Sequence, residues 1–229
     1  MSKQGEIDYL KSIGPDHARH AAGKPFSDVA CGWLLQILGG MISLLPPPPG
    51  RLLDLGCGSG WTSVFFAKIG YDVTGLDLAP DMIELANDNK ARDGLTNLTF
   101  AVGDFEALAY DAEFDCVTLY DTLHHSEDER AVLRGAYRAL RPGGVCVTSE
   151  PGHGHENNPV TRAAIAAHNV TERDMPPSRI VAAGSAAGFA THRVYPHPVD
   201  VRRNALRRAK WLIESVIFKD RGGYVVLGK

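Results

Sequence analysis

Between residues 51 and 150 short apolar runs alternate with segments of helical period. Residues 52–55 (LLDL), 71–77 (YDVTGLD), 98–103 (LTFAVG), 114–120 (FDCVTLY) and 145–150 (VCVTSE) have the length and β-branched content of strands. Their near-continuous hydrophobicity suits a sheet covered on both faces. Residues 61–69 (WTSVFFAKI) read as a helix, and so do 82–89, with Pro80 at a natural first helical position and Asp81 in the first turn. Residues 127–140 are amphipathic; Ser126 and Glu129 have the form of a capping box at their start, and Arg141-Pro142-Gly143-Gly144 stops them. Strands separated by helices at these intervals imply parallel pairing through right-handed crossovers.

Outside this block the pattern changes. Residues 1–50 form a helical cap, with helices over 9–23 and 29–45 ended by Pro46–Pro49. Residues 151–176 contain no strand pattern and read as an insertion with helical content near 160–168. A helix over 178–187, a strand over 191–195, an amphipathic helix over 204–218 and a strand over 224–227 follow. No repeat or low-complexity linker divides the chain, so residues 1–229 are expected to be one domain.

Composition removes several function classes. A net charge of −3 argues against a general nucleic-acid binder. Cys31, Cys57, Cys116 and Cys146 lack paired metal-ligand spacing and suit core thiols in a reducing compartment. The first residues have no apolar leader, and the apolar run 29–45 is interrupted by Gln36 and Gly39-Gly40 and is too short to span a membrane. A cytoplasmic location is therefore expected.

The candidate chemistry begins where the first strand ends. Residues 52–60 read LLDLGCGSG, with Asp54 near the end of the strand and Gly56, Gly58 and Gly60 at alternate positions. Such glycines permit a sharp strand-to-helix turn and let a ligand lie against bare backbone. A dinucleotide fingerprint needs its third glycine where Trp61 stands, and the Gly-Lys-Ser/Thr end of a phosphate loop is absent. The remaining fit is an adenosyl ligand that carries an amino-acid group instead of phosphates.

The stretch LDLGCGSG resembles motif I of the class I S-adenosylmethionine-dependent methyltransferases, and the likeness covers about residues 50–150, including the LRPGG turn at 140–144. The resemblance implies a Rossmann-like α/β fold: a seven-stranded, mostly parallel sheet with helices on both faces and an antiparallel last strand. It implies S-adenosyl-L-methionine as cofactor, held by Asp54, Gly56, Cys57, Gly58, Gly60, Asp77, Leu78, Asp104, Phe105 and Tyr120. Asp77 would bind both ribose hydroxyls, and Asp104 would accept from the adenine amino group with Phe105 beside the ring. The helical cap would close over the cofactor, with Tyr9, Phe26 and Trp33 as candidate covering residues and core packing as the alternative role of each.

The acceptor end is less defined. Asp121, His124 and His125 follow the fourth strand, and Glu150, His153 and His155 end the fifth or follow it. His125, with His124 second, is the expected proton acceptor if the methylated atom belongs to a hydroxyl. The same cluster invites a metal, but His153 and His155 alternate with glycines and nothing in the sequence fixes their direction, so no metal site is expected. YDTLHH stands in place of the Asn/Asp-Pro-Pro-aromatic motif usual in base-methylating enzymes, so nucleic acid is not expected as acceptor. The basic run Arg202, Arg203, Arg207, Arg208 and Lys210 could meet an anionic acceptor. SEPGHGHENNP with NVTERDMP resembles methyltransferases that accompany glycosyltransferases in surface-polysaccharide pathways, which implies a small O- or N-acceptor such as a sugar or glycan precursor, a quinone-type or natural-product acceptor being the alternative. A non-catalytic cofactor-binding partner protein is the rival class. Oligomeric state is left open, a homodimer included.

Overall fold

The computed structural model describes residues 3–198, 206, 209 and 222–229; side chains of 9–18, Tyr9 among them, lie outside the description. The basic run at 202–210 and most of the expected helix 204–218 also fall outside the described residues.

Helices α1 (Lys3–Gly23) and α2 (Cys31–Leu44) precede the first strand. There follow β1 (Arg51–Leu55), α3 (Trp61–Lys68), β2 (Asp72–Asp77), α4 (Pro80–Asp93), β3 (Leu98–Val102), β4 (Phe114–Tyr120), α5 (Glu129–Ala139) and β5 (Leu140–Glu150). Helices α6 (Pro159–His168) and α7 (Pro177–Ala187) and strands β6 (Thr191–Pro196) and β7 (Gly223–Gly228) complete the described chain. The seven strands lie in the order β3-β2-β1-β4-β5-β7-β6. Neighbours from β3 to β5 run parallel, and β7 is antiparallel to both β5 and β6, as the resemblance implied.

The strand alternation divides the core in two. Leu53 and Leu55 face Leu133, Ala136 and Ile180 on α5 and α7, whereas Leu52 joins Leu38, Met41 and Phe66 on α2 and α3. Strand order reverses between β1 and β4, so the loops after these two strands part and open a crevice at their carboxyl ends.

Three local expectations are corrected. Ser126 does not cap α5; its hydroxyl donates to the Leu123 carbonyl, and Asp128 takes the N-terminal N–H groups of Arg130 and Ala131. Glu129 instead pairs with Arg173 and Arg179, tying α5 to the chain around α7. Strand β5 starts at Leu140, because that residue pairs with Phe114 and a register shift before Cys116 absorbs the intervening turn. The first helix begins at Lys3, not near residue 9.

Candidate active site

The glycine loop after β1 is built by three left-handed residues, Gly56 (φ 66°), Gly58 (φ 52°) and Gly60 (φ 76°). Their reasons differ. A Cβ on Gly56 would strike the Thr122 side chain and one on Gly60 would strike Phe100, so these two are glycine for packing. A Cβ on Gly58 meets no protein atom within 4 Å; it would project into open space. Gly58 is thus the point where a ligand can approach the bare chain.

Its amide N–H donates to Asp77 Oδ2 at 2.8 Å, and the Ala79 N–H donates to Oδ1 at 2.9 Å. Burial pushes the Asp77 carboxyl upward, and the two N–H groups oppose that. Each oxygen keeps a second lone pair. Gly58 and Asp77, with Leu78, Asp104, Phe105 and His125, line a cavity of about 190 Å³. A second, of about 210 Å³, shares Gly56 and Gly58 with it and is bordered by Cys57, Trp61 and Tyr120. Tyr120 reaches the Leu34 carbonyl and stands edge-on to Trp61, with ring centres 5.2 Å apart. Burial raises the Cys57 thiol well above its ordinary range, which keeps it protonated.

Asp54, expected as a cofactor ligand, lines neither cavity. It is buried beneath the loop, where Thr62 and Ser63 donate to one oxygen and Thr118 to the other. Burial raises its pKa against those three bonds. Asp54 therefore clamps β1, α3 and β4 together and holds the glycine turn in shape. Asp104 faces the cavity, but its Oδ1 already accepts from the Glu106 N–H and its Oδ2 from Lys3 Nζ at 2.6 Å.

The cover is α1. Lys3 and Glu6 line the first cavity, His20, Ala21 and Lys24 the second, and Ser59 Oγ donates to the Ala21 carbonyl. Phe26 is 75% exposed and covers nothing. Trp33 packs against the α2–α3 core and His197. No sequence signal marked Lys3 or Glu6, because their place depends on how a helix distant in sequence crosses the sheet.

The acceptor-end groups separate into two roles. Glu150 is fully buried and lines neither of these two cavities. Its carboxylate accepts from the N–H groups of Thr122, Leu123 and His124 and pairs with His124 Nδ1 at 2.7 Å. His124 is buried too, its Nε2 lying 3.4 Å from Glu172 Oε2. Burial alone would lower its pKa, but hydrogen bonds to Glu150 and Glu172 hold it well above the ordinary value, which favours the imidazolium form. Burial would push Glu172 up; His124 and His155 (2.7 Å) instead hold it far below the usual carboxylate range. His153 and the Gly154 N–H meet Asp174. The loop histidines are therefore fixed by residues 172–174, a segment whose partners the sequence did not reveal.

His125 alone of the four histidines reaches the first cavity. Its Nδ1 lies 2.7 Å from the Thr171 carbonyl, so that nitrogen carries the hydrogen and Nε2 is left to accept. Ligand atoms of His124, His125 and Glu172 lie within 4.8 Å of one another, as do those of Asp121, His124 and Glu150; these are the described groups spaced to hold a cation. No described helix is long and apolar enough to cross a membrane.

Against this geometry, residues 53–148 match the family model of the methyltransferase domain. That stretch is similar to a methyltransferase domain and makes up under half of the chain. Ubiquinone biosynthesis O-methyltransferases of Xanthomonas axonopodis pv. citri and Psychrobacter cryohalolentis are 36% and 37% identical to this chain over 102 residues. The match takes in 44% and 43% of this chain, and the chain spans only 42% and 40% of those relatives. Among solved structures, phosphoethanolamine N-methyltransferase 2 of Haemonchus contortus with S-adenosyl-L-methionine superposes with a TM-score of 0.70 at 18% identity, over 100% of this chain and 59% of that one. Geranyl diphosphate C-methyltransferase of Streptomyces coelicolor A3(2) gives 0.68 at 14% identity over 99% and 97%. Both establish that the domain shares their fold. The glycine loop, Asp77, Asp104 and His125 all lie within the matched methyltransferase domain, and residues 151–176 lie beyond it.

Proposed function

We propose that the chain is an S-adenosylmethionine-dependent methyltransferase acting on the hydroxyl oxygen of a small quinone-type or phenolic acceptor. The observation that carries this reading is the open space over Gly58, in a cavity lined by both Asp77 and His125. When bound, the cofactor supplies an electrophilic sulfonium methyl group. Asp77 has free lone pairs for a ribose diol, and Leu78 and Phe105 offer apolar surface to the base. Cys57, Trp61 and Tyr120 border the space left for the amino-acid end. Asp104, like Asp77, has one donor on each oxygen and keeps a second lone pair on each for the amino group of the adenine, with Lys3 held beside it.

The relatives' names favour the quinone-type acceptor over the sugar precursor, for which the comparisons offer no support. A phenolic hydroxyl must lose its proton as its oxygen is methylated. His125 Nε2 takes it, because the Nδ1–H to Thr171 fixes the tautomer. The test is release of S-adenosylhomocysteine in the presence of substituted catechols, with His125→Gln in parallel. We expect turnover to fall by about 10²–10⁴-fold in the variant, with S-adenosylhomocysteine affinity retained. A His125→Gln enzyme of undiminished turnover would remove the proton-acceptor role. Failure of wild type to methylate any phenol while it methylates another acceptor would overturn the acceptor class.

A further inference from the structure

We propose that Glu6, carried on the covering helix α1, is a positioning residue for His125, so that the proton acceptor is completed only when α1 lies across the cavity. The inference rests on the reading of His125 as proton acceptor. Glu6 Oε1 lies 3.5 Å from His125 Nδ1 and accepts the Thr171 N–H at 2.7 Å. The Thr171 carbonyl takes His125 Nδ1 at 2.7 Å. One carboxylate and the backbone of one residue, Thr171, thus enclose the nitrogen opposite the accepting one. This is the arrangement by which a carboxylate orients an imidazole and stabilises the cation formed when it takes a proton.

Two further observations tie the arrangement to the position of the helix. Gly5, next to Glu6, lies so close to the Asn169 carbonyl that any Cβ would collide with it, so this contact is built for close approach. The helix is also pinned on either side of Glu6. Lys3 pairs with Asp104 at 2.6 Å and Glu106 at 3.3 Å, and the Ala21 carbonyl accepts from Ser59 in the glycine loop. Displacing α1 to admit a cofactor would withdraw Glu6 from His125. Return of the helix would cover the cavity and restore the pair together.

Charges facing His125 come from four directions: Glu6 on α1, His124 in its own turn, Glu172 in the segment after α6 and Asp77 at the end of β2. Burial and His124 depress its pKa, and Glu6 with Glu172 outweighs them, leaving it above the ordinary value. Of the carboxylates, Glu6 stands on the element that covers the cavity.

The experiment measures kcat and KM against pH for wild type, Glu6→Gln, Glu6→Asp, Gly5→Ala and His125→Gln, with S-adenosylhomocysteine affinity by calorimetry. For Glu6→Gln we expect kcat to fall by roughly 10- to 100-fold, less than for loss of the base itself. The acid limb of its kcat profile should move to lower pH, because a neutral amide no longer favours the imidazolium. Glu6→Asp should recover part of both changes. Gly5→Ala should lower kcat while retaining the carboxylate, by holding the helix off residue 169. If His125→Gln is impaired but Glu6→Gln keeps the wild-type kcat and acid limb, the positioning role is overturned and the base stands. If His125→Gln is unimpaired, the base falls, and the positioning role with it. A Glu6→Gln effect confined to cofactor affinity, with kcat and pH profile unchanged, would also overturn the proposal.

Discussion

Glycine loops invite a uniform explanation, and here each residue has its own. Gly56 and Gly60 make room for Thr122 and Phe100, while Gly58 faces open space. A valine at Gly58 meets no protein neighbour, although its φ of 52° adds local backbone strain. Gly58→Val should remain folded and lose S-adenosylhomocysteine binding, checked by circular dichroism and calorimetry on one sample. Asp77→Ala should weaken binding by about 1.5–3 kcal/mol, the range for hydrogen bonds to a charged group. Wild-type affinity in a folded Asp77→Ala protein would refute the ribose role. The acids at the strand ends were legible from the sequence, but their duties were not. Asp54 and Asp77 look alike in sequence, and only the hydroxyls of Thr62, Ser63 and Thr118 around Asp54 show that it faces inward.

At the scale of elements, the turn after β4 is held by charge. Glu150 gathers three backbone N–H groups and His124, and Glu172 completes the sandwich from the segment after α6. The Glu172 pKa lies well below its ordinary 4.5, so its contribution to stability is present above that value and is lost as pH falls through the folded-state pKa. His124, raised well above 6.5, contributes fully below that value and loses its contribution only as pH climbs through its elevated pKa. The melting temperature should therefore decline as the medium is acidified below pH 4.5. Glu172→Gln should cost about 1.5–3 kcal/mol near neutrality and flatten that acid decline, as chemical denaturation across pH would record. An unchanged acid slope in the variant would assign the decline to other carboxylates. Periodicity placed β1 to β4 and α3 closely, because their cores are local patterns. It misplaced the α5 cap: Ser126 and Glu129 have the right spacing, but Arg173 and Arg179 compete for Glu129, and Asp128 is better placed for the free N–H groups.

For the whole molecule, the sheet order opens a crevice at the carboxyl ends of β1 and β4, and α1 closes it from outside. The sheet and its glycine loop could be read from sequence; the cover could only be anticipated as helical. Which side chains it presents depends on a crossing over sequence-distant strands, and Lys3 and Glu6 carry no motif. The central claim is that this crevice binds an adenosyl cofactor bearing an amino acid and not a dinucleotide. Calorimetric titration of the wild-type chain with S-adenosylhomocysteine, and separately with NAD, tests it most directly. We expect a single-site isotherm for S-adenosylhomocysteine, with a Kd of ~1–100 μM that would add a few kcal/mol of stability at millimolar ligand. We expect none for NAD, since Trp61 stands where a third glycine would be needed. Saturable NAD binding by a folded protein that gives no heat with S-adenosylhomocysteine would contradict the central claim.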